Sequence, residues 1–110
     1  MKLTEEEKFA LSMVFSGSDP VSVAVRAQLN DVEVVARENT GVGFFSAIYT
    51  TSPLPLDRRK QWDWNFMHRH MPYGGAFMCS IEDSNNFVLE AVAHMGEWPD
   101  RFEAADFNEA

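Results

Sequence analysis

The sequence predicts an α+β domain in which two N-terminal helices pack on a mainly antiparallel sheet of four to five strands. The first 30 residues carry helix caps and apolar residues at helical spacing, whereas the period changes to two from residue 32 onward. A length of 110 residues with 45% hydrophobic residues suits a single domain with one core. Hairpins and short loops could make every connection, so the simplest topology is a meander.

The first predicted helix spans residues 4–16. Thr4 followed three residues later by Glu7 is the sequence signature of a capping box. Phe9 and Met13 recur at the i, i+4 spacing of one helix face, and Gly17 is a natural stop.

The second predicted helix spans residues 20–29. Ser18 or Asp19 can cap it, and Pro20 stands at the first helical position, where its missing N–H costs nothing. Apolar residues at helical spacing follow, although the number of valines leaves a strand possible here.

Residues 32–38 and 42–51 are predicted to form the first hairpin. "VEVVARE" alternates as a strand, "NTG" is typical of a turn, and "VGFFSAIYTT" is rich in β-branched and aromatic residues. The prolines of "SPLPL" exclude a helix or a central strand, so this segment is predicted to be a loop leading to the next strand.

The stretch "QWDWNFMHRH", residues 61–70, is predicted to be a strand with an aromatic face. A period of two places these residues on one side: Trp62, Trp64, Phe66, His68 and His70. "MPYGG" is then predicted to be a turn, and residues 76–82 and 86–94 form a second hairpin around "SNN". Residues 97–110 are predicted to be an irregular acidic tail.

Seventeen acidic against nine basic residues give a net charge of -8, which disfavours direct binding to nucleic acid or anionic membranes. A basic protein partner would be attracted instead. No apolar run is long enough for a transmembrane helix, and "MKLTEEEK" does not read as a secretory signal. The single Cys79 is expected to be a buried hydrophobe, and we expect a cytoplasmic protein.

The charges are segregated between a basic loop and the acidic tail. Aromatic and arginine side chains dominate protein–protein hot spots, and an acidic patch steers a basic partner. The predicted partner-binding residues are therefore Trp62, Trp64, Arg58, Arg59, Asp100, Glu103 and Asp106. The alternative is that a helix or the tail covers the aromatic face and that the tail only solubilises the protein.

Three stretches, "ARENTGVGFFSAI", "PYGGAFMCSIED" and "FVLEAVAHMGEWP", follow one another between about residues 32 and 99. Together they resemble a family of small, uncharacterised bacterial proteins with a Thr-Gly-Val-Gly-Phe-Phe strand start and a terminal Trp-Pro. The resemblance implies a small α+β protein of the kind found alone or among bacterial toxin-immunity loci, and it implies no catalytic residue. Ala91, Val92 and His94 stand where a glycine and aromatic residues are usual in that family.

Other functional sites are less well supported by the residues. His68 and His70 could offer two imidazoles to a metal, with Glu90 and His94 as further ligands, if their strands were adjacent and their side chains shared a face. Glu38, Glu82 and Glu90 could supply an acid/base pair, but acids are abundant in this chain and the sequence does not show which of them pair. No nucleotide-binding or nucleophile motif occurs, so no cofactor is expected.

The sequence thus favours a non-enzymatic protein-binding module, in particular an immunity protein that neutralises a cognate, basic toxin. This interpretation rests on the family resemblance and the net charge. Two alternatives are a small metal-dependent enzyme or ligand-binding protein that uses the histidine group, and a homodimeric structural protein whose aromatic face is the dimer interface.

Overall fold

A computed structural model describes all 110 residues of the chain. The helices and strands, in chain order, are α1 Glu5–Val14, α2 Pro20–Arg26, β1 Glu33–Asn39, β2 Gly43–Tyr49, β3 Gln61–His68, β4 Met71–Ile81, β5 Asn86–Ala93 and β6 Phe107–Glu109, with a 3-10 turn over Ala104–Asp106. Neither helix is long and apolar enough to cross a membrane.

The six strands form one antiparallel sheet in the order β1-β2-β5-β4-β3-β6. The predicted fold class is confirmed, with one strand more than expected. The simple meander is wrong, because residues 50–60 carry the chain past two strand positions and β5 then returns to pair with β2. This order places the apolar strands β2, β4 and β5 in the middle of the sheet, where both of their backbone edges are paired with neighbouring strands.

The predicted turn at "MPYGG" is also wrong. Residues 71–75 belong to β4, and the chain reverses at Arg69 and His70 instead. Gly74 adopts a φ of +66°, which residues with a side chain rarely tolerate, and the β3–β4 register shifts between Phe66 and His68. The glycine therefore makes a bulge within the strand.

The acidic tail is not irregular throughout. Its last residues form β6, which pairs with β3 through Phe66 with Glu109 and His68 with Phe107. Phe107 is 8% exposed, and its ring lies 4.9 Å from that of Phe66. One apolar residue in a polar segment thus anchors the C-terminus. The strand was not predicted because three residues are too few to show the period of two that marks a strand in a sequence.

The helix caps follow the sequence closely. Thr4 Oγ1 accepts from the backbone N–H of Glu7 at 3.1 Å, and Glu7 Oε1 accepts from the N–H of Thr4 at 2.8 Å. Asp19 caps α2 by accepting from the N–H of Ser22 at 3.1 Å. The second helix nevertheless ends at Arg26, three residues earlier than predicted.

Both helices and the segment after β5 cover one face of the sheet, which we call the inner face. Phe77 at the centre of this face is fully buried and lies 6.3 Å from Phe9 of α1 and 5.8 Å from Trp98. A single cluster of 21 buried apolar residues forms the core between these layers.

A buried carboxylate joins α1 to the sheet. Glu7 is 1% exposed, and it accepts hydrogen bonds from Arg37 of β1 at 2.6 and 2.9 Å and from Ser46 Oγ of β2 at 2.5 Å. Burial raises the pKa of Glu7, but the hydrogen bonds from Arg37, Ser46 and Thr4 outweigh this effect, and the net result is a lowered pKa.

The replacement Arg37→Met tests this ion pair. It leaves the Glu7 carboxylate buried without its cation, so we expect the free energy of unfolding at pH 7 to fall by about 3 kcal/mol in urea titrations. A lowered carboxyl pKa stabilises the fold above the unfolded value of 4.5 and loses this effect as the pH falls through the folded value. The difference between wild type and Arg37→Met should therefore shrink in acid.

Glu5→Gln serves as the control, because Glu5 makes only an exposed ion pair with Lys8 at 3.8 Å. Its effect should stay within about 0.5 kcal/mol. Equal decreases in the free energy of unfolding for the two variants would show that the buried ion pair stabilises the fold no more than an exposed one does.

Candidate functional site

Two adjoining clefts lie on the surface where α1, the β1–β2 turn and the C-terminal segment meet. The larger cleft has a volume of about 790 Å³ and lies between the N-terminus of α1, the end of β1 and residues 97–100. The smaller cleft has a volume of about 420 Å³ and lies between His70 and residues 99–106. Pro99 and Asp100 line both, so we treat them together as the acidic clefts.

Trp98 builds the wall of the larger cleft. Its ring meets Phe44 edge-on at 5.8 Å, and its backbone N–H donates to the carbonyl of Gly41 at 3.2 Å. The indole N–H donates to Glu6 Oε2 at 3.0 Å. One tryptophan thereby fastens the C-terminal segment to both the β1–β2 turn and the first helix.

Carboxylates dominate the lining of the clefts. Seven acidic residues face two arginines and one histidine, and one of the arginines, Arg37, is already bound to Glu7. The seven acids are Glu6, Glu7, Glu38, Glu97, Asp100, Glu103 and Asp106. Concave surfaces lined by one sign of charge concentrate the electrostatic field, so the clefts attract cationic groups.

Glu6 lines the larger cleft and has a raised pKa. Burial raises its pKa, the hydrogen bond from Trp98 lowers it, and the neighbouring Glu7 raises it, with a net increase. The ionised form of Glu6 is thus disfavoured in the free protein. A cation bound beside Glu6 would remove this penalty, since an opposite charge stabilises the ionised carboxylate.

The predicted acidic residues lie at these clefts. Asp100 and Glu103 are exposed, and both line the smaller cleft. Asp106 is only partly available, because its Oδ2 lies 3.8 Å from His70 Nε2 and its side chain is 15% exposed. Sequence reasoning missed Glu6, Glu38 and Trp98 as parts of the same site. They lie up to 92 positions apart in the chain, and no local pattern links them.

The predicted basic residues lie elsewhere. Arg58 and Arg59 are exposed in the loop that precedes β3, and the guanidinium of Arg59 lies 4.6 Å above the ring of Trp62. The smaller cleft lies beyond the other end of this strand. Eight residues of β3 span on the order of 25 Å, so the basic loop and the acidic tail form separate surfaces.

The aromatic face of β3 is part of the core. Trp62 is 2% exposed and packs on Phe15 at 5.7 Å, and the half-buried Trp64 meets Phe9 edge-on at 6.0 Å. The hot-spot interpretation is therefore wrong for Trp62, and a dimer interface on this face is excluded for the same reason. Truncating Trp62 would open a cavity in the core rather than weaken a partner contact.

The histidine group is not assembled as a site. His68 is buried on the inner face, where its Nδ1 accepts a hydrogen bond from the backbone N–H of His70 at 2.9 Å. Burial lowers the pKa of His68, the charge of Asp106 raises it, and the charge of His70 lowers it, with a net decrease. Glu90 lies on the opposite face of the sheet, and His94 follows the end of β5. No group of three histidine, cysteine, aspartate or glutamate side chains is placed to hold a metal ion.

The three candidate acid/base carboxylates are also dispersed. Glu38 and Glu90 share a face of the sheet but flank Phe45 on either side, and Glu82 follows the end of β4.

The chain matches no family model, no curated protein and no solved structure. The resemblance to small bacterial proteins of toxin-immunity loci therefore stays a prediction.

Glu6→Gln tests the electrostatic strain in the larger cleft. Glutamine keeps an oxygen that accepts from the Trp98 indole but carries no charge, so we expect the free energy of unfolding at pH 7 to increase. A carboxyl group with a raised pKa destabilises the fold once it ionises. The extra stability of Glu6→Gln over wild type should therefore appear as the pH rises above about 4.5 and vanish below it.

Urea titrations of wild type and Glu6→Gln at pH 7 and in acid would measure this difference. Glu5→Gln is the matched control, because it removes the same charge from the same helix turn at an exposed position. A Glu6→Gln variant that is less stable than Glu5→Gln at pH 7 would contradict the prediction.

Proposed function

We propose that this protein is a non-enzymatic binding module that acts as an immunity protein, neutralising a cognate bacterial toxin with a basic surface in the cytoplasm. The observation that carries the proposal is the pair of acidic clefts, where seven carboxylates meet two arginines. The family resemblance supplies the biological context.

The electrostatics of such a complex are favourable. A toxin that acts on nucleic acid needs a basic surface to bind the phosphate backbone. An inhibitor with a net charge of -8 and concave acidic surfaces would be steered to that basic surface and would compete with its substrate. The strained Glu6 adds to this, since a partner cation beside it would favour the ionised form.

The rigid setting of the clefts also supports binding. Trp98 is fixed by its ring contacts with Phe44 and Phe66 and by its two hydrogen bonds, so the backbone of the segment that carries the neighbouring Glu97 and Asp100 is anchored to the domain. The backbone of this segment then needs little ordering on association, and pre-organised surfaces lose less conformational entropy.

Co-expression of this protein with the product of the adjacent reading frame tests the proposal. We expect protection from growth arrest and a complex on mixing the purified proteins. The association rate should fall steeply as salt rises from low ionic strength to 0.5 M, because exposed charges are screened over about 10 Å already at 0.1 M.

The double variant Asp100→Asn/Glu103→Gln should slow association by roughly threefold at low salt and leave dissociation nearly unchanged. Asp31→Asn/Glu82→Gln is the matched control, because it removes two exposed charges away from the clefts. An equal effect of both pairs would show that net charge alone steers the partner. Absence of both protection and a complex would overturn the immunity function.

A further inference from the structure

The face of the sheet opposite the helices, which we call the open face, is covered by no other part of the chain. In β1 to β5 its residues are half-buried or exposed, apart from three small ones, Gly43, Gly74 and Ala76. By contrast, the large buried side chains of the strands all point to the inner face.

The centre of the open face is apolar. Phe45 and Met78 lie on either side of Glu90 in one row across β2, β5 and β4. Val88 and Val92 are two positions before and after Glu90 on β5 and therefore point to the same side. With Ala47, which pairs with Val88, these residues form the apolar ring: Phe45, Ala47, Met78, Val88 and Val92.

Glu90 stands in the middle of this ring without a partner. Its side chain is exposed and takes part in none of the ion pairs or hydrogen bonds of the chain. The other charged residues that point outward from β1 to β5 are Glu33, Glu38 and Asp63, which lie on β1 and β3, on either side of the three central strands. No lysine or arginine of these strands points to the open face.

We propose that the open face docks a protein that presents a lysine or arginine at the centre of its own apolar patch. The cation pairs with Glu90, and the apolar surround seats on the ring. The proposal rests on the proposed function and supplies the apolar centre of the complex, which the buried tryptophans of β3 cannot provide.

The open face and the acidic clefts are continuous. A groove of about 380 Å³ beside Phe45 and Glu90 shares Glu38, Val42 and Phe44 with the larger acidic cleft. One partner can therefore contact the open face and the acidic clefts at the same time. The clefts would attract its basic residues from a distance, while the ring would hold it after contact.

Charge complementarity favours a cationic partner over a second copy of this chain. Apposing two open faces would bring Glu38, Asp63 and Glu90 of one copy against those of the other, and no lysine or arginine of these strands points to the open face to compensate. Desolvating a carboxylate without a counter-charge is costly, so such a dimer is disfavoured. A basic partner turns the same carboxylates into favourable contacts.

The arrangement has the features of an interface hot spot. Apolar residues around a central charged pair exclude water and strengthen the pair electrostatically. Removing the carboxylate would leave the partner's cation desolvated and unpaired, which weakens binding through faster dissociation.

Glu90→Gln and Glu82→Gln form a matched pair for the test with the product of the adjacent frame. Both remove one exposed charge, but Glu82 follows the end of β4, four positions beyond Met78, and is not part of the ring. We expect Glu90→Gln to raise the dissociation constant about tenfold or more and Glu82→Gln to change it less than about twofold. Circular dichroism would confirm that both variants keep the fold.

A second arm needs no toxin. The probe is the short amidated peptide Phe-Lys-Phe-Lys-Phe, titrated into isotope-labelled protein and followed by amide chemical shifts. We expect saturable shifts centred on Phe45, Met78 and Glu90, reduced at least threefold in Glu90→Gln. The same peptide with glutamate in place of lysine should produce none.

The outcomes separate this surface from the proposed function. If the toxin binds but Glu90→Gln behaves like Glu82→Gln, the docking surface is wrong and the immunity function stands. If the peptide maps to the ring while no toxin binds, the surface stands and the immunity function fails. Peptide shifts confined to the acidic clefts, or a dimer in sedimentation that Glu90→Lys disrupts, would also overturn the docking proposal.

Discussion

The buried carboxylate of Glu7 is the constraint on which the rest of the structure depends. A charge removed from water must be paired and hydrogen-bonded, and Glu7 finds its partners on three elements at once: Thr4 at the helix cap, Arg37 on β1 and Ser46 on β2. These contacts fix where α1 begins above the sheet. From there the helix extends toward β3 and β4, where Phe9 packs on Trp64 and on Phe77.

Fixing the start of α1 also creates the candidate site. Glu6, the residue before Glu7, lies beside this carboxylate and accepts a hydrogen bond from the indole of Trp98, so its ionised form is disfavoured where it faces the larger cleft. The two faces of the sheet also differ in composition. The inner face carries the aromatic core, while the open face keeps an apolar ring around the single carboxylate of Glu90. In the proposed complex, stability and binding depend on different sides of the same strands.

Local physics accounts for the parts of the fold that the sequence predicted well. Helix caps act within three residues, and strand periods repeat every two, so the starts of both helices and most strand positions can be read from neighbouring residues. The errors arose where distant contacts prevail. Gly74 has a positive φ but sits in a bulge rather than a turn, and Phe107 draws a polar tail into a sixth strand. The strand order depends on which apolar strands share the middle of the sheet.

The sequence by itself determined the fold class, the helix caps, the alternation of β3 and the acidic balance of the chain, because each depends on local spacing or composition. It also placed Asp100 and Glu103 among the candidate site residues. Only the tertiary structure decided that Trp62 is buried, that Glu6 and Trp98 meet across 92 positions, and that Glu90 stands alone in an apolar ring. The alternation of a strand shows that it has two faces. Which face becomes the core depends on where the helices pack, and that is set by contacts such as the one between Glu7 and Arg37.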